Sequence, residues 1–216
     1  MGDFPAATTV MGQDAMRKPI NVIRRDELVR AAISVIAQDG VGGATLASIA
    51  RRAEMSPALV SHYFDSKDEL LALTLRRVSS LVRDELLRRL PADPTPEQRL
   101  LAIIDSNFQP KLYEPDVQKA WLRFGLAFQE RDSKALHRIN RLLGRRFQSN
   151  IGFAFRQSLP AERVDDAVDG LIALIDGYSW RFLVDPDNTD FEAARRVCAA
   201  YARRQLEGGK PSPSTV

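Results

Sequence analysis

The stretch that decides the fold is Thr45-Leu46-Ala47-Ser48-Ile49-Ala50-Arg51-Arg52-Ala53, followed by Glu54-Met55 and then Ser56-Pro57-Ala58-Leu59-Val60-Ser61-His62-Tyr63-Phe64. In the first segment Leu46, Ile49, Ala50 and Ala53 recur at helical spacing, and Thr45 is suited to cap them. In the second, Ser56 caps and Pro57 takes the first helical position, where a missing N–H costs nothing. Two short helices across a tight turn, the second rich in small and polar residues, follow the helix-turn-helix plan. A recognition helix must enter a DNA major groove about 12 Å wide, so its tip needs small side chains. Ser56, Ala58 and Ser61 meet that need, while Lys67 and Arg51 or Arg52 are placed to flank the groove and meet phosphates.

Outward from this pair, helical periodicity fills the chain. Leu28, Ala31, Ala32, Val35 and Ile36 predict a first helix stopped at Gly40. Ser66-Lys67-Asp68-Glu69 reads as a capping box opening a fourth helix, which runs through Leu75, Val78 and Val82 toward Pro91. Leu100, Ile103, Ile104 and Phe108 predict a fifth helix, ended by Pro110. Val117, Trp121, Phe124 and Phe128 give a sixth, and Leu136 to Phe155 a seventh. Val164 to Phe182 give an eighth, ended at Pro186, and Phe191, Ala194, Val197 and Tyr201 a ninth. No alternating strand and no internal repeat is legible. The fold class is all-α: an N-terminal three-helix head and a C-terminal helical bundle, about nine helices in all. The expected organisation is a flexible basic arm at 1–19, a head at 20–71, a bundle at 72–206 and a flexible tail at 207–216.

Between Arg17 and Arg77 there are ten basic and seven acidic residues, so this segment carries a positive balance equal to the whole chain's net +3. That suits a nucleic-acid partner. Arg17, Lys18, Arg24 and Arg25 precede the first helix and read either as a phosphate or minor-groove arm or as a solvated basic stretch. Arg138, Arg141, Arg145 and Arg146 read as a solvated or acid-paired face of the seventh helix. Cys198, the one cysteine, cannot form an internal disulfide and suits a reducing compartment and a buried position. The first sixteen residues lack the apolar run of a signal peptide, and no apolar stretch is long enough to span a bilayer, so a cytoplasmic location without membrane contact is expected. With two histidines in no ligand spacing, no nucleophile motif and no Gly-rich phosphate loop, no catalytic residue, metal site or cofactor is expected.

The stretch from Arg24 to Leu71 resembles the DNA-binding domain of the TetR family. The resemblance lies in a helix ending in Gly40, then Thr45, Ile49-Ala50, Ser56, and Tyr63-Phe64-x-Ser66-Lys67-x-x-Leu70-Leu71. It departs at Ser61, where a Tyr that touches phosphate often stands. Ser61-His62-Tyr63-Phe64, Lys119-Ala120-Trp121-Leu122 and Leu171-Ile172-Ala173-Leu174-Ile175-Asp176-Gly177 are similar to the BetI branch, so that the likeness spans most of residues 20 to 206. After Gly177 the branch usually continues Leu-Trp, whereas Tyr178-Ser179-Trp180 follows here. A tryptophan moved by one helical position turns by about 100°.

The resemblance implies a homodimer paired through its last two helices, a palindromic double-stranded operator and a small-molecule effector. It implies groove contacts from Ser56, Pro57, Ala58, Leu59, Ser61 and His62, and phosphate contacts from Thr45, Tyr63 and Lys67. Ala58 and Leu59 can sense only shape and thymine methyls, so hydrogen-bonded specificity must come from elsewhere. Val60 and Phe64 read as core. BetI-type proteins are choline-responsive repressors of glycine betaine synthesis, and a quaternary ammonium is held by aromatic faces and a carboxylate. Trp121, Phe124, Phe128, Tyr178 and Trp180 are the candidate faces, with Asp105 and Asp176 the candidate charges; each aromatic has packing as its competing role. The alternative within the family is a repressor of an efflux or catabolic operon sensing an apolar or aromatic compound.

Overall fold

The computed structural model describes residues 20–130 and 133–208, and among these it contains helices, two short 3-10 turns and no strand. The helices are α1 (Ile20–Gly43), α2 (Leu46–Arg52), α3 (Pro57–Tyr63), α4 (Lys67–Arg89), α5 (Pro96–Asn107), α6 (Pro115–Glu130), α7 (Lys134–Phe155), α8 (Ala161–Val184) and α9 (Phe191–Glu207). The 3-10 turns are Pro110–Tyr113 and Pro186–Asn188. The arm expected at 1–19 and all but Glu207 and Gly208 of the expected tail lie outside the described residues. No helix among the described residues is long and apolar enough to cross a membrane.

Local chemistry explains the boundaries. Gly40 stands at φ 75°, ψ 176°, a conformation open to glycine, so the regular part of α1 stops there and the chain turns toward α2. Thr45 Oγ1 accepts from the Ser48 N–H at 3.0 Å, and Ser48 Oγ accepts from the Thr45 N–H at 2.9 Å, a reciprocal box that closes the start of α2. Ser66 Oγ accepts from the Glu69 N–H at 3.1 Å as expected. The return bond of that box goes elsewhere: Glu69 Oε2 accepts from the Asp65 N–H at 3.0 Å, because its other oxygen is held by Arg25. Pro110 does more than follow α5, since it opens the turn that carries Lys111 and Tyr113.

Two cores organise the molecule. The first joins Leu28, Ala32 and Ile36 of α1 to Ile49 of α2, Val60 and Phe64 around α3, and Leu70, Leu71 and Leu75 of α4; Ala120 and Phe124 of α6 and Leu136 and Ile139 of α7 complete it. The second joins Leu100, Ile103 and Phe108 of α5 to Ile151 and Phe155 of α7, Val168, Leu171 and Ile175 of α8, and Ala194, Cys198 and Ala202 of α9. Val60 and Phe64 are thus core residues, as their spacing predicts. Full burial of a phenylalanine such as Phe124 stabilises by about 2–3 kcal/mol.

Two helices present a different phase from the one their spacing predicts. On α6 the buried line is Val117, Ala120 and Phe124, and Trp121 is 49% exposed. On α9 it is Ala194, Cys198 and Ala202, and Val197 is 41% exposed. In both, small residues sit inward because neighbouring helices approach closely, and the larger residue one position away is turned out. Cys198 is fully buried, and desolvation pushes its thiol up to about 11, so it packs as a small apolar residue.

Candidate nucleic-acid interface and sensor core

The recognition helix is held at both ends. Ser56 Oγ accepts from the Leu59 N–H at 3.2 Å, and Pro57 follows at the first helical position. The turn before it is a Schellman motif: the Met55 N–H donates to Ala50 O at 2.9 Å and the Glu54 N–H to Arg51 O at 3.2 Å. Glu54 takes the left-handed conformation this requires, at φ 55°. At the far end Arg25 donates to Tyr63 O at 2.6 Å and to Glu69 Oε1 at 2.8 Å, and its guanidinium lies 4.4 Å from the Phe64 ring centroid. These bonds hold the Glu69 carboxyl below the usual carboxylate range, first through Arg25 and then through the Asp65 N–H. Arg24 and Arg25 lie inside α1 and do not precede it as expected: Arg25 is a structural tie for α3 and Arg24 pairs with Glu27 at 2.8 Å, while Arg17 and Lys18 lie outside the described residues.

What remains outward on α3 is the set the sequence singles out. Ser56, Pro57, Ala58, Leu59, Ser61 and His62 are exposed, while Val60 is fully buried beneath them. Tyr63 is half-buried against the first core and meets the His62 ring edge-on at 5.3 Å. Lys67 Nζ donates to Gly42 O at 3.0 Å, which brings it to the loop that ends in exposed Thr45. Arg52 donates to Ser34 Oγ at 2.6 Å and so serves as an α1–α2 tie; Arg51 beside it is exposed as well.

The candidate effector residues do not meet in one place. Phe124 is sealed in the first core, and Phe128 packs at its edge beside His137. Tyr178 packs on the second core, edge-on to Phe108 at 6.3 Å, with the Arg181 guanidinium 5.6 Å from its ring. Trp121 and Trp180 are half exposed on α6 and α8. Asp105 lies on α5, 4.0 Å from Arg89. Asp176 reaches solvent on α8, yet the groups crowding its carboxyl desolvate it and raise its pKa. The aromatics that do converge are Tyr113, Phe182 and Phe191. Phe182 and Phe191 stack at 3.6 Å between centroids, and Tyr113 meets them at 4.8 and 4.5 Å. Tyr113 Oη donates to Asn107 O at 2.9 Å and lies 3.3 Å from Ser179 Oγ; burial pushes its phenol up to about 12. This cluster draws on the 3-10 turn, α8 and α9, so spacing within one helix could not disclose it.

The same turn grips α4. Lys111 Nζ and Arg89 Nε lie 2.8 and 2.7 Å from the Glu85 carboxylate, and Arg88 pairs with it too. Glu85 is 4% exposed, and its cations, Lys111 foremost, hold its carboxyl down at about 2. A signal for it existed: Leu71, Leu75, Val78, Val82 and Glu85 follow one helical stripe, and an acid on an apolar stripe needs a partner.

A capped recognition helix on a three-helix head, joined through one long helix to a helical bundle, defines a helix-turn-helix regulator. Residues 28–74 match the model of bacterial regulatory proteins of the tetR family, and residues 96–207 match that of the BetI-type transcriptional repressor C-terminal region. The chain belongs to the TetR family, in its BetI-type branch. The HTH-type transcriptional regulator BetI of Cronobacter sakazakii is 37% identical over 191 residues, 88% of this chain and 94% of that protein. The protein of the same name from Escherichia coli strain K12 is 41% identical over 186 residues, 85% of this chain and 94% of its own. Among solved structures, a transcriptional regulator from Rhodococcus sp. Rha1 aligns with TM-score 0.71 at 20% identity, over 88% of this chain and 99% of that one. A Saccharomonospora viridis protein in complex with choline aligns with TM-score 0.67 at 20% identity, over 84% and 96%. TetR-family regulators bind DNA and small-molecule effectors, typically as dimers, and the relatives here are regulators of transcription.

Proposed function

We propose that this protein is a dimeric repressor that binds a palindromic operator through α3 and responds to choline or a related quaternary amine, in control of glycine betaine synthesis. The observation that carries the DNA part is the outward face of α3, capped by Ser56 and tied by Arg25, with its small residues free. Ser56, Pro57, Ala58, Leu59, Ser61 and His62 enter the groove, and Thr45, Tyr63 and Lys67 meet phosphates on either side. An apolar stripe supports dimerisation: Ala173, Gly177, Trp180 and Val184 lie exposed at helical spacing on α8, and Val197 is exposed on α9.

The BetI-type match and the choline bound to the Saccharomonospora protein support a quaternary amine as effector. Tyr178, with Tyr113 and Phe182 close by, is the favoured place. One turn along α8 from Tyr178, Phe182 already touches Tyr113 and Phe191, so a cation must part those rings to enter among them. Parting them moves the 3-10 turn, and Lys111 passes that movement to Glu85 on α4, the helix that carries the head. A ligand preferring the parted arrangement weakens DNA binding by linkage. A neutral aromatic effector, as in an efflux or catabolic repressor, is the second reading. It is favoured by Arg181, a resident cation already on the Tyr178 ring.

The test is binding of the purified chain to its own upstream intergenic DNA at fixed salt, with choline and with a neutral isostere. Specific binding weakened by choline alone is expected. Specific binding indifferent to choline removes the effector assignment, and no specific binding removes the operator assignment.

A further inference from the structure

We propose that a groove between α4 and α7 is a binding site for a small organic anion, separate from the aromatic cluster and from α3. The groove has a volume of about 290 Å³, near the lower end of small-molecule sites. Its apolar lining comes from Ala72 and Leu73 of α4 and Ala135 and Ile139 of α7. Its charged lining is Arg76, Arg138, Arg25 and Glu69.

The charges are unequally satisfied. Arg25 and Glu69 neutralise each other at 2.8 Å. Arg76 and Arg138 are exposed and have no hydrogen bond or ion pair with any described residue. Of the solvated and acid-paired readings of the α7 arginines, the solvated one holds for Arg138 among the described residues. Elsewhere on α4 the arginines find acids: Arg77 and Arg83 with Asp84, Arg88 and Arg89 with Glu85. Two guanidiniums without an acid among the described residues, lining one groove from α4 and from α7, can share an anion. Their planar donor forks match a carboxylate or phosphate oxygen pair. The alanine, leucine and isoleucine surface between them adds affinity only for an anion with an apolar part. Arg76 sits on α4 and Arg138 on α7, so a bound anion joins the head-bearing helix to the bundle.

The test is calorimetric titration of the full chain with hexanoate, hexan-1-ol and inorganic phosphate at one ionic strength. One hexanoate per chain is expected to bind saturably, with hexanol and phosphate each weaker by about tenfold or more. Arg76→Gln or Arg138→Gln is expected to weaken hexanoate by about tenfold, and Arg138→Lys by less. Hexanoate affinity unchanged in the double glutamine variant, hexanol equal to hexanoate, or no saturable binding overturns the proposal. Methyl-labelled alanine spectra of the unmodified chain give a check without variants: shifts at Ala72 and Ala135 support the site, and shifts confined to other alanines overturn it. Neither readout involves DNA or choline, so the result stands apart from the reading of α3.

Discussion

Lys111 Nζ lies 2.8 Å from Glu85 Oε2, and this ion pair fastens the 3-10 turn that carries Tyr113 to the helix that carries the head. Glu85 is nearly buried, so its charge is tolerated only because cations surround it. Replacing it with Gln is expected to lower stability by roughly 1–3 kcal/mol at neutral pH, read from urea unfolding. Folding depresses this carboxyl from 4.5 to about 2. Its contribution is therefore complete above about pH 4.5 and is lost as pH falls toward 2. The gap between wild type and Glu85→Gln should narrow across that window; a gap constant in acid would contradict the assignment.

Glu54 occupies a left-handed position at φ 55° that glycine fills without strain. Glu54→Gly should stabilise the fold by up to about 1 kcal/mol, and Glu54→Val should destabilise it. Midpoints of denaturant unfolding for the two variants should fall on opposite sides of the wild type.

Arg25→Met keeps the stem of the side chain but removes its ties to Tyr63 O, Glu69 and the Phe64 ring. A loss of about 1–2 kcal/mol is expected, with weaker operator binding because the end of α3 is released. Arg24→Met, which breaks only an exposed pair with Glu27, should cost about 0.5 kcal/mol or less. Equal effects in the two variants, by unfolding and by fluorescence anisotropy, would refute the tie.

Two glycines of α8 should respond oppositely to alanine. A Cβ on Gly170 would overlap the Tyr201 hydroxyl and come 2.7 Å from its Cζ, so Gly170→Ala should destabilise by about 1–2 kcal/mol despite better helix propensity. Gly177 has nothing within 4 Å of its Cβ site. Gly177→Ala should stiffen α8 in the monomer by up to about 1 kcal/mol yet loosen a dimer packed on the α8 stripe. Sedimentation alongside thermal unfolding separates the two effects, and Trp180→Glu should shift the chain to monomer more strongly.

The helix-turn-helix was legible along the chain because its determinants are local. A cap, a proline at the first helical position and an alternation of small exposed and large buried residues all act within one turn of their neighbours. Thr45, Ser56 and Val60 take the places their spacing predicts. Arg25 looked like part of a basic arm because its partners lie 38 and 44 positions away.

Helical periodicity and capping residues by themselves determined the all-α class and the helix-turn-helix, since caps and 3.6-residue spacing are set by nearest neighbours; the family likeness rests on the motif residues between Gly40 and Leu71. Only the tertiary structure decided which residue of an adjacent pair turns inward: Ala120 and Cys198 are buried, Trp121 and Val197 exposed. Spacing cannot separate positions one apart on a broad apolar face; close approach of a second helix does, by admitting the smaller side chain. The same holds for the aromatic cluster, where Tyr113, Phe182 and Phe191 come together from three segments. Their meeting depends on how those segments fold back on one another, which no local pattern encodes.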